Sequence, residues 1–275
     1  MSRVIVFRAR GDNLERLPID AASLDEATLQ TAHGVYTVMR LHEGRRVFRL
    51  AQHWARLRKS AELLGSPFDL SDGWLRLAVR NAVEQSGLAL ARVRLTVPFD
   101  APDTAFISLE AFTPPSPDLF EQGVRVGLVT GEREAPLAKN STFIEWRNRM
   151  VANQPPDVYE TLLVDQTSVI REGVGSNFYA VIAGRLRTAP AGMLEGIARG
   201  VLLDVAPSII AVEPRAVHVD ELPSASEAML TSASRGVVPI VQVGDTAIGG
   251  GRPGPVAKAL RAAYDAQVNS ELESL

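Results

Sequence analysis

Thr113-Pro114-Pro115-Ser116-Pro117-Asp118 is the stretch that decides the architecture. Each of its three prolines fixes φ and removes a backbone donor, so the passage neither pairs in a sheet nor continues a helix. It reads as a linker. The division that follows is an N-terminal α+β domain over residues 1–112, a linker over 113–122 and a C-terminal α+β domain over 123–275.

Working back toward the N-terminus, strands Ala105 to Phe112 and Ala91 to Val97 come first. Before them lies a helix of about Ser71 to Gln85, with Ser71 as N-cap and Gly87 past its end. A longer helix from His53 places apolar residues at 54, 57, 61 and 64, the 3.6-residue period, and stops at Gly65. Gly34 to Arg40 and Arg46 to Leu50 are β-branched and aromatic runs around a His42-Glu43-Gly44 turn, which predicts a hairpin; Val4 to Phe7 predicts the opening strand. Past the linker, strands are expected at Val124 to Thr130, Thr161 to Val164, Val169-Ile170, Phe178 to Ile182, Arg185 to Thr188 and Ala228 to Thr231. Helices are expected at Phe143 to Ala152, Ile197 to Val205 and Pro255 to Gln267. Strands and helices that mix without a βαβ rhythm define an α+β class, not a doubly wound sheet or a barrel.

The 275 residues are 46% apolar, enough for sizeable cores, and 29 Lys plus Arg against 32 Asp plus Glu give a net charge of -3. That balance offers no basic surface for nucleic acid or an anionic membrane. No apolar run approaches the ~18 residues of a membrane span. The opening MSRVIVFRAR alternates charge with aliphatics and reads as a strand, not a signal peptide. Zero cysteines exclude disulfides, thiol nucleophiles and thiolate metal sites, and the four histidines, none at i, i+3 or i+4 to another, give no zinc motif. The composition is that of a soluble, cytoplasmic protein whose chemistry uses oxygen and nitrogen side chains or an organic cofactor, with no metal.

Only three of the 29 basic residues are lysines, Lys59, Lys139 and Lys258. In an arginine-rich chain a lysine marks places where a neutral amine is useful, which guanidinium cannot supply. Lys59 and Lys258 sit on helices and read as solvated. Lys139 follows Pro136-Leu137-Ala138 and precedes a Ser-Thr pair and the aromatic run Phe143 to Trp146, an irregular entry to a partly buried element. Such a setting suits the lowered amine pKa that a Schiff base needs.

Glu172 stands ahead of Gly173 and Gly175 and the pair Ser176-Asn177, either a plain hairpin turn or a backbone that must approach something closely. Gly196 directly precedes a helix, leaving the first N–H groups, those of Ile197 and Ala198, open to an anion. Thr231 to Pro239 reads as a loop rich in small hydroxyl residues after an apolar strand, either a plain turn or a second set of phosphate donors. Arg92 and Arg94 share one face of a strand, which means an exposed face or an anion between them. Arg56, one turn after His53, either snorkels to solvent or turns inward to an anion. No GxxxxGK, GxGxxG, GxSxG or HExxH is present. The combination of a special lysine, several anion-binding candidates and a glycine-flanked glutamate contains the parts that pyridoxal phosphate requires.

In this order the motifs resemble the class IV aminotransferases, the fold-type IV group of pyridoxal-phosphate enzymes with branched-chain and D-amino acid aminotransferases and aminodeoxychorismate lyases. The resemblance runs from about Leu24 to Gly250 and rests on Gly34 to Arg40, His53-Trp54-Ala55-Arg56-Leu57, Glu160 to Asp165, Glu172-Gly173 with Ser176 to Phe178, and Leu194 to Arg199. It implies a two-domain fold of the D-amino acid aminotransferase kind, with pyridoxal 5′-phosphate between the domains. Lys139 would be the Schiff-base lysine, Glu172 the contact to the pyridine nitrogen, and Arg56, Ile197, Ala198 and Ser234 the phosphate site; Tyr36, Arg92 and Arg94 would line the substrate pocket. It also implies a homodimer that moves an amino group between a small amino acid and a 2-oxo acid through the pyridoxamine form. The alternatives are elimination of pyruvate from aminodeoxychorismate, or a non-catalytic descendant that binds a small anion.

Three departures bear on the substrate. Thr37 replaces the family's usual glutamate, Thr31 stands where many members have tyrosine, and Phe143-Ile144 replace an Asn-Tyr pair, leaving Arg147, Asn148 or a water to meet the cofactor's phenolate oxygen. An ordinary branched-chain enzyme is therefore not expected.

Overall fold

The structure is a computed structural model that describes residues 3–152 and 154–275, and every element named below belongs to those residues. Met1 and Ser2, at the head of the stretch read as the first strand, lie outside them. The chain divides into two compact units. One holds the chain up to Thr113 together with Ala138–Trp146 and Glu271–Leu275; the other holds Pro114–Leu137 and Arg147–Ser270.

In chain order the first unit contains β1 (Ile5–Arg10), β2 (Asn13–Leu17), α1 (Leu24–Leu29), β3 (Gly34–Leu41), β4 (Arg46–Phe48), α2 (Leu50–Leu63), α3 (Asp72–Ser86), β5 (Ala91–Pro98) and β6 (Thr104–Ala111). Five of the strands form an antiparallel sheet in the order β2-β1-β6-β5-β3, so β3 is an edge. The two-residue period of β3 and β5 puts Val35, Met39, Val93 and Leu95 on the face that packs on α2 and α3. Trp54, Leu57 and Ala61 of α2 are buried there, as their spacing predicts. Ser71 caps α3 by accepting the Trp74 N–H at 3.2 Å, and Gly87 ends it with φ of 69°.

Two later segments return to this unit, which departs from a division at residue 123. Leu272–Ser274, strand β17, pairs with β4. Glu271 holds Arg49 through two contacts of 2.5 and 3.1 Å, and Glu273 accepts the Leu50 N–H at 2.9 Å. Ala138–Trp146 covers the β3 edge, as described below. Both returns are edge pairings between segments far apart in the chain, which composition does not signal.

The second unit contains α4 (Pro117–Gln122), β7 (Val124–Thr130), β8 (Glu160–Val164), β9 (Val169–Gly173), β10 (Asn177–Ile182), β11 (Arg185–Arg187), α6 (Ile197–Val205), β12 (Val212–Glu213), β13 (Val217–His218), β14 (Ala225–Ser232), β15 (Gly236–Val243), β16 (Thr246–Ala247) and α7 (Pro255–Ser270); α5 spans Thr142–Val151. Its mixed sheet runs β12-β11-β10-β14-β15-β7-β8-β9-β13, with β16 on β15. Leu162, Ile170, Phe178, Leu230 and Ile240 centre its core. The expected linker is only partly irregular: Pro117 opens α4 and Ser116 accepts the Asp118 N–H at 3.3 Å. Proline at a first helical position lacks only a donor that the helix leaves unused.

The stretch after Ser232, expected to be a loop, becomes strand β15 from Gly236. Pro239 is tolerated because the β7 ladder begins one residue later, at Ile240 opposite Val124. No helix among the described residues is long and apolar enough to cross a membrane.

Candidate active site

In the first unit the site is built along the edge strand β3. The segment after Ala138 lies against that edge: the Tyr36 N–H donates to Lys139 O (2.9 Å), the Ser141 N–H to Gly34 O (2.9 Å) and the Gly34 N–H to Ser141 Oγ (2.9 Å). Gly34 is required for its other flank, since a Cβ there would lie 2.1 Å from the Val97 carbonyl oxygen of β5. The Lys139 N–H donates to Ser60 Oγ of α2 at 3.0 Å, and that hydroxyl donates to Arg56 O at 2.8 Å. The backbone of Lys139 is thus fixed from both sides. Its Nζ lies 4.8 Å from the centroid of the buried Tyr36 ring.

On the opposite face of β3, Thr37 is fully buried against α2. Its Oγ1 accepts from Arg56 Nη2 at 2.9 Å and lies 2.7 Å from His53 Nδ1. Burial first, then the charges of Arg56 and Lys139, hold the His53 pKa well below its ordinary value of 6.5. Arg56, Tyr36 and Lys139, three of the residues expected to serve cofactor and substrate, therefore belong to one hydrogen-bonded group of β3, α2 and the covering segment.

Arg92 and Arg94 do share a strand face, but protein carboxylates meet them. Arg92 Nε donates to Glu110 at 2.6 Å. Arg94, buried, donates to Asp25 (2.8 Å), Leu24 O (2.9 Å) and Thr28 Oγ1 (2.8 Å), and its guanidinium carbon is 4.5 Å from the Tyr36 ring centroid. The paired charges thus require no external anion, and their pairing by itself gives no sign of a substrate carboxylate. Thr31, at a position where the resemblance leads one to look for tyrosine, donates to Thr28 O at 3.0 Å. Phe143 and Ile144 are buried, with Phe143 stacked on Trp146 at 5.1 Å. Lys59 and Lys258 lie exposed on helices.

In the second unit, Glu172 of β9 is 2% exposed. Its Oε1 accepts from Arg133 Nε at 3.0 Å and its Oε2 from the Leu194 N–H at 3.1 Å. An ionised carboxylate offers about four lone-pair sites, so capacity remains for a ring N–H. Asn177 donates to Leu194 O at 2.8 Å, and two residues on Gly196 immediately precedes α6. The same short segment therefore ties Glu172 to the α6 N-terminus. Among the described residues no side chain caps that terminus, and Ile197 and Ala198 are buried. Buried helix-start N–H groups left uncapped fit a phosphate.

Ser234 is half-buried in the tight turn from β14 to β15. There Arg235 donates to Ser232 Oγ (2.9 Å) and pairs with Glu160 (2.8 Å). Among the described residues no group of His, Asp and Glu is placed to hold a metal ion.

Sequence reasoning passed over Arg133, which is flanked by the exposed Glu132 and Glu134 and carries no pattern of its own. It also passed over Asp25, the partner of Arg94. Thr37 had a usable signal, a lone hydroxyl among the inward positions Val35, Met39 and Leu41.

The first unit thus holds a lysine fixed at a strand edge beside a buried tyrosine, and the second a buried carboxylate joined to an uncapped helix start. The amino-transferase class IV profile matches residues 34–243, and the chain belongs to that family. A Thermotoga maritima protein named "Probable branched-chain-amino-acid aminotransferase" is 31% identical over 266 residues, covering 94% of this chain and 93% of its own. The D-alanine aminotransferase of Bacillus licheniformis is 27% identical over 265 residues, 91% and 93% of the two chains. Among solved structures, a T.th. branched-chain amino acid aminotransferase with pyridoxamine 5′-phosphate covers 100% of this chain and 99% of its own, with a TM-score of 0.82 at 20% identity. The fold is that of the fold-type IV aminotransferases, the chain is a transaminase of that class, and pyridoxal 5′-phosphate is its cofactor.

Proposed function

We propose that the chain moves an amino group between a small amino acid and a 2-oxo acid with Lys139 as the catalytic amine. The observation that carries this reading is the anchoring of Lys139: its carbonyl and its N–H are both held, so Nζ is presented from a fixed backbone beside Tyr36. Lys139 Nζ would hold the cofactor's aldehyde carbon, Glu172 the ring nitrogen, and Arg56 with the N–H groups of Ile197 and Ala198 the phosphate, with Ser234 as a further donor. When bound, the group supplies an electron sink for the pair left on the substrate α-carbon. As a neutral amine on a short tether, Lys139 Nζ would take a proton from the substrate α-carbon and give it to the cofactor's C4′. Tyr36 closes one side of Nζ against water.

Arg92 and Arg94 enter this reading only as walls of the substrate pocket, since their charges are already met by Glu110 and Asp25. The names of the relatives, a branched-chain and a D-alanine enzyme, support a small amino acid as donor and leave its handedness to experiment. A homodimer and a cytoplasmic location belong to the same reading. They are supported by the family resemblance, the cysteine-free composition and the balanced charge, and sedimentation of the purified protein checks the first.

The test is the absorbance of the purified protein with pyridoxal 5′-phosphate, before and after single L- and D-amino acids. A visible band that one donor alone bleaches is the expected result. A band that no donor bleaches would favour the lyase chemistry instead. Lys139→Ala should keep its fold, lose the band and lose nearly all turnover; equal activity in that variant overturns the assignment.

A further inference from the structure

We infer that Thr37 is a positioning residue of the phosphate site: its single hydroxyl proton sets the tautomer of His53 and its lone pair holds the Arg56 guanidinium in place. The inference rests on the reading of Arg56 as a phosphate ligand and adds a residue to it. Arginine has donors only, so the 2.9 Å contact from Arg56 Nη2 must end on a lone pair of Thr37 Oγ1. The hydroxyl keeps a second lone pair, but it is buried and, among the described residues, Nδ1 of His53, 2.7 Å away, is the one acceptor its proton can reach, so a paired proton requires Nδ1 to accept. A nitrogen that accepts carries no proton, so neutral His53 bears its hydrogen on Nε2. The low pKa of His53 agrees with this neutral form.

The arrangement is rigid. Thr37 is 0% exposed, His53 is 2% exposed, and His53, Arg56 and Ser60 occupy successive turns of one face of α2. Ser60 joins that face to the backbone of Lys139, so the helix that carries Arg56 is tied to the amine-bearing segment at one point and to β3 at the other. A hydroxyl at position 37 orients the guanidinium through a lone pair without setting a negative charge at that contact, so the orientation is fixed by a neutral group.

The probes are pyridoxal 5′-phosphate and pyridoxal, which lacks the phosphate, bound to parent, Thr37→Val, Thr37→Ser and Arg56→Ala proteins. Thr37→Val should weaken pyridoxal 5′-phosphate by about tenfold, the scale of one charge-assisted hydrogen bond, and leave pyridoxal unchanged. Thr37→Ser should restore the parent ratio. In ¹⁵N spectra of the histidine rings, His53 should be the Nε2–H tautomer in the parent and lose that preference in Thr37→Val.

An unchanged ratio in Thr37→Val, with the ratio lost in Arg56→Ala, overturns this inference alone. An unchanged ratio in Arg56→Ala overturns the phosphate reading with it. If Thr37→Val does not fold, the parent spectrum decides: a proton on His53 Nδ1 at neutral pH overturns the inference.

Discussion

A buried histidine held neutral makes stability fall on acidification, and His53 permits the size of that effect to be worked out. Its folded pKa is depressed, so below pH 6.5 the unfolded chain binds a proton that the folded chain refuses, and stability decreases as pH falls. Above 6.5 both states are neutral and the term vanishes. With an unfolded value of 6.5 and no protonation in the folded state, the loss between pH 7 and pH 5 approaches about 2 kcal/mol, at ~1.36 kcal/mol per pH unit once the unfolded histidine is fully charged.

His42 acts in the same direction, its pKa lowered to about 4 by burial and then by Arg40 and Arg46, and over this pH range it adds a loss of similar size. The perturbation that isolates His53 is His53→Asn, whose side-chain oxygen can still accept the Thr37 proton. Any constant cost of the smaller side chain cancels in the difference between the two pH values. Urea unfolding of parent and variant at pH 7 and pH 5 should show the variant losing about 2 kcal/mol less than the parent. Equal losses in the two proteins would refute a neutral His53.

Arg133→Met should destabilise the protein by about 3–5 kcal/mol, because it leaves the Glu172 carboxylate buried without its guanidinium partner, and Arg133→Met combined with Glu172→Gln should recover most of that loss; urea unfolding of the single and double variants checks both values. Gly34→Ala places a Cβ 2.1 Å from the Val97 carbonyl and should cost at least the ~1–3 kcal/mol of an overpacked site. Because Gly34 anchors the covering segment, amide exchange at Tyr36, whose N–H donates to Lys139 O, should accelerate in that variant.

What the sequence disclosed was what depends on near neighbours. The α2 stripe of Trp54, Leu57 and Ala61, the Ser71 cap, the Gly87 stop and the uncapped start of α6 each follow from residues within a few positions of one another, and each is found where expected. Lys139 stood out for a similar local reason, a rare lysine in an irregular approach to an apolar helix. Strand β15 was missed because Pro239 argues locally against a strand, and only the stagger of β7 removes the objection.

The same distinction explains the arginines. Two guanidinium groups on one strand face do require compensation, and the sequence supports that much. Which anion supplies it is a non-local matter: Glu110 stands across the ladder from Arg92, while Asp25 reaches Arg94 from a helix 69 residues earlier in the chain. Arg133 is the converse case, an arginine between two glutamates that looks like surface charge until the fold brings it to Glu172. Motif order thus names the residues that the family resemblance assigns to a site, whereas the charge balance around them is set by partners that only the tertiary pairing brings near. Counting cations on a strand face accordingly says little about where an external anion binds. Backbone donors that no side chain caps say more, and the start of α6, where the buried Ile197 and Ala198 follow Gly196, is a place of that kind whose signal was already local in the sequence.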